Sequence, residues 1–265
     1  MPWPLRVVLF FLLLSPMSLR AEERVAFRSQ DQTDIAGILF RPSGAGPFPA
    51  VIGLHGCAGM WRRGELDARS ADWAARLTAA GFVVLFPDSY GPRGLTATCA
   101  TRDRAVRPRG RALDAAGAAE WLARQPFVDK RRIALIGWSN GGTTALYATG
   151  TTPPAGVDYR LAVIFYPGCR GFLRSGWSPR QPVTILHGEA DDWTPAEPCA
   201  AIARSAGAAF VGYPGAYHDF DHPDLPLRTR RAAYSQRPDG QVTIGTNPAA
   251  RQDAIGRVMA ALRGM

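Results

Sequence analysis

The segment Gly137-Trp138-Ser139-Asn140-Gly141-Gly142 constrains this chain most, because it follows directly on the apolar run Arg132-Ile133-Ala134-Leu135-Ile136. It reads G-x-S-x-G at the end of a strand, and the small residues Gly142, Thr143, Thr144 and Ala145 suit a tight helix start. A sharp strand-to-helix turn holds its serine with the hydroxyl exposed, and the flanking glycines allow the close backbone approach that the turn demands. A bare G-x-S-x-G recurs by chance. The strand before it and the helix start after it are what give it weight.

The rest of the chain reads as an α/β protein. Val25-Ala26-Phe27-Arg28 and Ile35 to Phe40 form an N-terminal antiparallel pair. Strands and helices then alternate: Val51–Leu54, a helix within Leu66–Ala80, Phe82–Phe86, a helix within Ala112–Arg124, Ile133–Ile136, and a helix after Ser139. Strands Leu161–Phe165 and Val183–Leu186, helix Ala196–Ala206, strand Ala209–Tyr213 and a final helix follow. The final helix opens at Asn247-Pro248, an N-cap with proline at the first helical position. This alternation predicts a mainly parallel sheet with helices on both faces and functional loops at the carboxyl edge. Residues 228–245 read as polar and irregular, either a lid-like excursion or a long surface loop.

Serine is a poor nucleophile at neutral pH and needs a base, which in turn needs an orienting carboxylate. Of the four histidines, His55 and His187 each end an apolar strand and read as structural or rim residues. His218 follows the strand and turn Phe210 to Tyr217, where a catalytic base is expected. His222, four residues on, is its competitor. The acid should lie just past the strand Pro182 to Gly188. Asp191 and Asp192 are both candidates; Asp191 is preferred for its Gly-x-x-Asp spacing to Gly188 and the proline four residues later. Asp192 and Thr194 alternatively cap the helix that Pro195 would start. An oxyanion hole would come from backbone N–H groups after the strand Pro49 to Leu54 and just after the nucleophile, which points to Cys57 and Asn140.

Taken together, Leu54-His55-Gly56-Cys57-Ala58-Gly59, Phe86-Pro87-Asp88-Ser89-Tyr90-Gly91, Gly137 to Gly142, Gly188-Glu189-Ala190-Asp191 and Tyr213-Pro214-Gly215-Ala216-Tyr217-His218 resemble the dienelactone hydrolase family of α/β-hydrolases. The pieces run in order from about residue 30 to the C-terminus. The resemblance implies an α/β-hydrolase fold and a carboxylic-ester or lactone hydrolase with no organic cofactor and no metal. The best-known members of that family carry a cysteine nucleophile, where this chain has Ser139. They restrain it with a glutamate after the first core strand, where this chain has Gly56. They also hold a substrate carboxylate with two arginines. One falls near Arg93, a candidate substrate-binding residue; the other lies shortly after the catalytic histidine, where this chain has His222. A bidentate carboxylate clamp is therefore at best half present, and a Ser139–His218–Asp191 relay should act alone. A peptidase, an acyltransferase or a non-catalytic binding protein on the same scaffold are the competing readings.

The first 21 residues read as a signal peptide: a basic start at Arg6, an apolar run Val7–Leu14, and a small-residue exit with cleavage after Ala21. The apolar run is shorter than the ~20 residues that a membrane span needs. Residues 22–265 would then form one domain in the periplasm or outside the cell, with no stable membrane insertion after cleavage. Export permits disulfides. All four cysteines fall in loops expected at the carboxyl edge, and the strand order suggests Cys57–Cys99 and Cys169–Cys199 out of three possible pairings. The formal charge is +9, carried almost wholly by arginine, with Lys130 the only lysine. The densest cluster, Arg102 to Arg111, lacks aromatic interleaving. It reads as a solvated loop entering a helix rather than a nucleic-acid surface. His218-Asp219-Phe220-Asp221-His222 superficially resembles a metal cluster, but the flanking prolines disfavour the helix that would put both histidines on one ion. A small-molecule ester or lactone is the expected partner.

Overall fold

The computed structural model describes residues 22–102, 105–150 and 158–265; the expected signal peptide and its cleavage site lie outside them. Strands β1 (Glu23–Arg28), β2 (Asp34–Phe40) and β3 (Phe48–Leu54) come first, then a two-residue pair, β4 (Trp61–Arg62) and β5 (Glu65–Leu66). Next are α1 (Ala68–Ala79), β6 (Val83–Pro87), α2 (Pro108–Ala123), β7 (Val128–Trp138) and α3 (Asn140–Thr149). The second half holds β8 (Leu161–Phe165), α4 (Arg170–Ser175), β9 (Val183–Gly188), α5 (Ala196–Ala206) and β10 (Ala209–Tyr213). It ends with β11 (Arg228–Arg231), β12 (Gln241–Ile244) and α6 (Pro248–Arg263).

Eight strands form one sheet in the order β1-β2-β6-β3-β7-β8-β9-β10. The β1–β2 and β2–β6 pairs are antiparallel, and the pairs from β6 across to β10 are parallel. Side chains alternate between the faces of a strand, and the core divides accordingly. Ala50, Ile52, Val83, Leu85, Ile133 and Leu135 face the helices α2, α3 and α5. Val51, Val84, Phe86, Ala134, Ile136 and Trp138 face α1 and α6. Burial on both faces is why these strands read as continuous apolar runs rather than alternating ones. The capping of α6 follows the sequence, with Ala250 N–H donating to Asn247 Oδ1 at 3.1 Å and Pro248 at the first position.

Parallel strands share one carboxyl edge, so the loops after β3, β6, β7, β8, β9 and β10 converge there. Two disulfides brace that edge, Cys57–Cys99 and Cys169–Cys199. Among the described residues, no helix is long and apolar enough to cross a membrane.

Residues 228–245 depart from the irregular excursion expected of them. Arg228–Arg231 and Gln241–Ile244 pair as an antiparallel ribbon, and the ribbon is tied down on several sides. Thr243 donates to Asp192 through its backbone N–H (2.7 Å) and its hydroxyl (2.8 Å). Gly245 N–H donates to His218 O at 3.0 Å, Ala233 N–H to Cys99 O at 2.9 Å, and Trp193 Nε1 to Ala233 O at 2.8 Å. β11 has no apolar side chain, and β12 buries only Val242 and Ile244 against Cys57, Cys99 and Trp193, a pattern too short to read as a strand from the sequence.

Candidate active site

Ser139 stands between the last residue of β7 and the first of α3, at φ 53° and ψ −114°. A non-glycine residue there is strained, and such strain persists only where the surroundings over-determine it. Here the surroundings are backbone. Ser139 N–H donates to Phe165 O at 3.0 Å, and a Cβ placed on Gly141 would lie 1.9 Å from Leu54 O. The start of α3 is thus pressed against the end of β3, an approach only glycine allows.

His218 follows β10 and Asp191 follows β9. Their side chains meet, with Nδ1 2.7 Å from Asp191 Oδ2. The rest of the carboxylate is also occupied: the N–H groups of Trp193 and Thr194 donate to Oδ1, both at 2.9 Å, and the Thr194 hydroxyl lies 2.9 Å from Oδ2. Tyr166 and Trp193 pack on the imidazole at 4.5 and 4.7 Å between ring centroids. Burial alone would depress the imidazole pKa, but the Asp191 charge and hydrogen bond reverse the sign and hold it above its ordinary value. Burial likewise opposes ionisation of Asp191, and the His218 charge with the donated hydrogen bonds brings its pKa below the ordinary value. His218 Nε2, the other ring nitrogen, is buried with no hydrogen-bond partner, and His218 shares the wall of one cavity with Ser139.

The competing assignments separate spatially. Asp192 turns away from the imidazole to hold Thr243. Neither Asp192 nor Thr194 caps α5, whose N-cap is Pro195 without a side-chain bond; their polar groups are already committed to the ribbon and to Asp191. His222 is half-buried, and its Nδ1 accepts from Asp224 N–H at 3.1 Å. Burial and Arg69 lower its pKa. His55 borders the cavity shared by Ser139 and His218, whereas His187 does not; both are buried, and burial lowers the pKa of each. His55 is bridged at both ends, with Nδ1 2.8 Å from Gly56 O and Nε2 accepting from Ser89 N–H at 3.3 Å.

Cys57 and Asn140 border the same cleft as Ser139. Asn140 is the first residue of α3, so its N–H has no intrahelical acceptor. Two cavities open on Ser139. One, of about 450 Å³, is bordered by Thr143, Arg170, Pro195 and Tyr234. The other, of about 300 Å³, is bordered by His218, Arg69, Arg228 and Arg230.

Two arginines sit elsewhere than the sequence suggested. Arg93 does not border either cavity. Its guanidinium spans both oxygens of the buried Asp114 at 2.9 and 2.8 Å and reaches Asp31 at 3.1 Å, so it is a structural ion pair. Arg111, expected on a solvated stretch, is 1% exposed. It donates to Asn140 Oδ1 at 2.5 Å and to His55 O at 2.8 Å. Its neighbours Ala112, Ala115 and Ala116 are the only local sign of burial, because the residues that receive its hydrogen bonds are 29 and 56 positions away.

The model of the dienelactone hydrolase family matches residues 35–264. Two uncharacterized proteins of Mycobacterium tuberculosis, from strains CDC 1551 / Oshkosh and ATCC 25618 / H37Rv, are each 29% identical over 222 residues, covering 76% of this chain and 74% of theirs. Among solved structures, a Klebsiella pneumoniae protein assigned to the dienelactone hydrolases superposes with a TM-score of 0.67 at 20% identity, covering 92% of this chain and 99% of that one. Thermogutta terrifontis esterase 2 with butyrate bound superposes with a TM-score of 0.62 at 19% identity, covering 93% and 95%. With the family's pattern running from the second strand to the last helix, the chain belongs to the dienelactone hydrolase family and has the α/β-hydrolase fold.

Proposed function

We propose that the protein is a serine hydrolase that cleaves a carboxylic ester or lactone through an acyl-enzyme. One observation carries the reading: a strained Ser139 that borders one cavity with a buried His218–Asp191 pair whose Nε2 is uncommitted. In the mechanism, Ser139 Oγ attacks the carbonyl carbon as His218 Nε2 takes its proton. Asp191 holds the tautomer and stabilises the imidazolium. The N–H groups of Cys57 and Asn140 receive the oxyanion. The acyl C–O bond then breaks, and His218 returns the proton to the leaving oxygen. A water, deprotonated by the same nitrogen, attacks the acyl carbon; the bond to Ser139 Oγ breaks, the proton returns from His218 to that oxygen, and the acid leaves. Serine suits this relay because it needs a base, and Gly56 leaves no side chain to compete for the nucleophile. The likeness to Thermogutta terrifontis esterase 2, solved with butyrate bound and phosphorylated by paraoxon, supports a short-chain ester as the first substrate to try.

The proposed active form is residues 22–265 as one domain, released by cleavage after Ala21 into the periplasm or medium, where the two disulfides are stable. Intact-mass analysis after exposure to a fluorophosphonate tests the catalytic reading. One adduct on the wild type, mapped to Ser139 and absent from Ser139→Ala, is expected, with short-ester turnover falling by on the order of 10⁴-fold or more in the variant. A folded wild type that takes no adduct and turns over no ester would replace this reading with a binding protein on a hydrolase scaffold.

A further inference from the structure

Among the described residues, Arg111 is the buried arginine that bonds the residue after Ser139, and the triad mechanism leaves it without a task. Among the described residues no carboxylate lies within ion-pair distance of it, since the nearby Asp114 is taken by Arg93 at both oxygens and Asp88 by Trp61 Nε1 and the N–H groups of Tyr90 and Gly91. Its hydrogen bonds run instead to two neutral acceptors, Asn140 Oδ1 and His55 O, and its guanidinium lies over the Tyr90 ring, 5.1 Å from the centroid. A buried cation with no carboxylate in contact is costly, and the Asp114 and Asp88 charges at longer range do not offset the burial, which leaves its pKa below the ordinary value. Folding alone gives no reason to keep it, because an apolar residue of similar volume would avoid that cost.

Its two acceptors belong to the two halves of the expected oxyanion hole. His55 O lies two residues before Cys57, and Asn140 carries the second N–H itself. These halves come from β3 and α3, and the approach at Gly141 presses their backbones together. His55 cannot supply a charge here, because burial and Arg111 hold its pKa well below the ordinary value.

We infer that Arg111 is a positioning residue for the oxyanion hole: one guanidinium fork sets the spacing of the Cys57 and Asn140 N–H groups and places a fixed positive charge behind them. The inference rests on the serine-hydrolase reading. Negative charge appears on the carbonyl oxygen only as the tetrahedral intermediate forms, so a cation held nearby in a low-dielectric interior favours that state over bound ester. A planar fork with two parallel donors suits the geometric half of the role, and an ammonium does not.

The test compares Arg111→Lys, Arg111→Gln and Arg111→Met with the wild type in three measurements. These are kcat and KM on p-nitrophenyl acetate, the rate of fluorophosphonate labelling, and affinity for an aryl trifluoromethyl ketone, whose serine adduct is an oxyanion. The expected result is a fall in kcat of about 10- to 100-fold in Arg111→Gln and Arg111→Met, with KM changing by less than about threefold. The labelling rate and ketone affinity fall in parallel, and Arg111→Lys is intermediate. Affinity for the corresponding methyl ketone stays level. A merely structural arginine would instead lower the thermal midpoint and the amount of active enzyme, leaving the kcat of the folded fraction and the ratio of the two ketone affinities unchanged; that outcome overturns the inference. If the variants do not fold, guanidinium ion added to Arg111→Ala provides the same readout, and failure of the ion to restore any labelling in a folded Arg111→Ala counts against the role. A wild type that takes no label sinks the serine-hydrolase reading first, and this inference with it.

Discussion

The stretch His218-Asp219-Phe220-Asp221-His222 contains a carboxylate whose removal should be among the most damaging single changes in the molecule. Asp221 is 1% exposed. Trp138 Nε1 and Trp73 Nε1 donate to its Oδ2 at 2.7 and 3.1 Å, Tyr166 OH donates to its Oδ1 at 2.5 Å, and Arg69 Nε lies 3.3 Å from that oxygen. Tyr166 stays protonated as a donor, since burial pushes its pKa well above the ordinary value. Asp221→Ala leaves three buried donors without an acceptor, each worth about 1–3 kcal/mol, and strips Arg69 of one of its two acids. With Asp219 still holding Arg69 at 2.5 Å, the total loss should be about 4–6 kcal/mol. Typical stabilities are about 5–15 kcal/mol, so the variant should be marginal or unfolded at ambient temperature. Asp221→Asn is the informative partner. Its amide oxygen can still serve both indoles, and its NH₂ can face a Tyr166 hydroxyl that rotates to accept, so the loss should be about 1–2 kcal/mol. Urea unfolding of the oxidised protein, followed by tryptophan fluorescence, reads both. A loss below about 1.5 kcal/mol for Asp221→Ala, or equal losses for the two variants, would refute the reasoning, because either result means the buried donors find other partners.

Two further outcomes follow from the site. The base must be neutral to accept a proton, and Asp191 holds the His218 pKa above 6.5, so kcat/KM should rise with pH through a midpoint above that value; a pH–rate profile with its acid limb at or below it contradicts the assignment. The same pair gives a sign for stability. His218, raised on folding, contributes stability below its unfolded pKa that is lost as pH rises through the folded value. Asp191, lowered on folding, contributes above its unfolded pKa and loses it as pH falls through the folded value. The pair therefore stabilises most between those limits, whereas in Asp191→Asn burial alone would depress the imidazole pKa, so the melting temperature should fall as pH drops below the unfolded value of His218. Neighbouring aspartates should differ in kind: Asp191→Ala should remove kcat by about 10⁴-fold, whereas Asp192→Ala, which frees Thr243 and the ribbon, should raise KM and speed proteolysis within residues 231–241 while kcat persists. Equal kinetic damage from both would be the contrary result.

The sequence alone settled the features that depend on local pattern. Period-two burial on both faces made the strands legible as apolar runs, and their alternation with helices meant a parallel sheet with one functional edge. The turn at Ser139 was legible because a strained serine between a strand and a helix requires glycine on both sides, and glycine is visible in a sequence. Cysteines at the ends of neighbouring strands suggested which loops could reach one another. Tertiary structure decided whatever depended on which side chain meets which at long range. Asp191 and Asp192 are adjacent in sequence and chemically identical; only the placement of the β10 loop and of the separate β11–β12 ribbon around the end of β9 sends one to His218 and the other to Thr243. Arg93 and Arg111 look alike as surface arginines, yet Asp114 captures the first, while the second is buried beneath the turn because α2 packs its alanine face against β3 and α3. The ribbon of residues 228–245 was hidden for the same reason. Its strands are held by hydrogen bonds to loops far away in the chain, and contacts of that kind leave no periodic trace in the sequence that makes them.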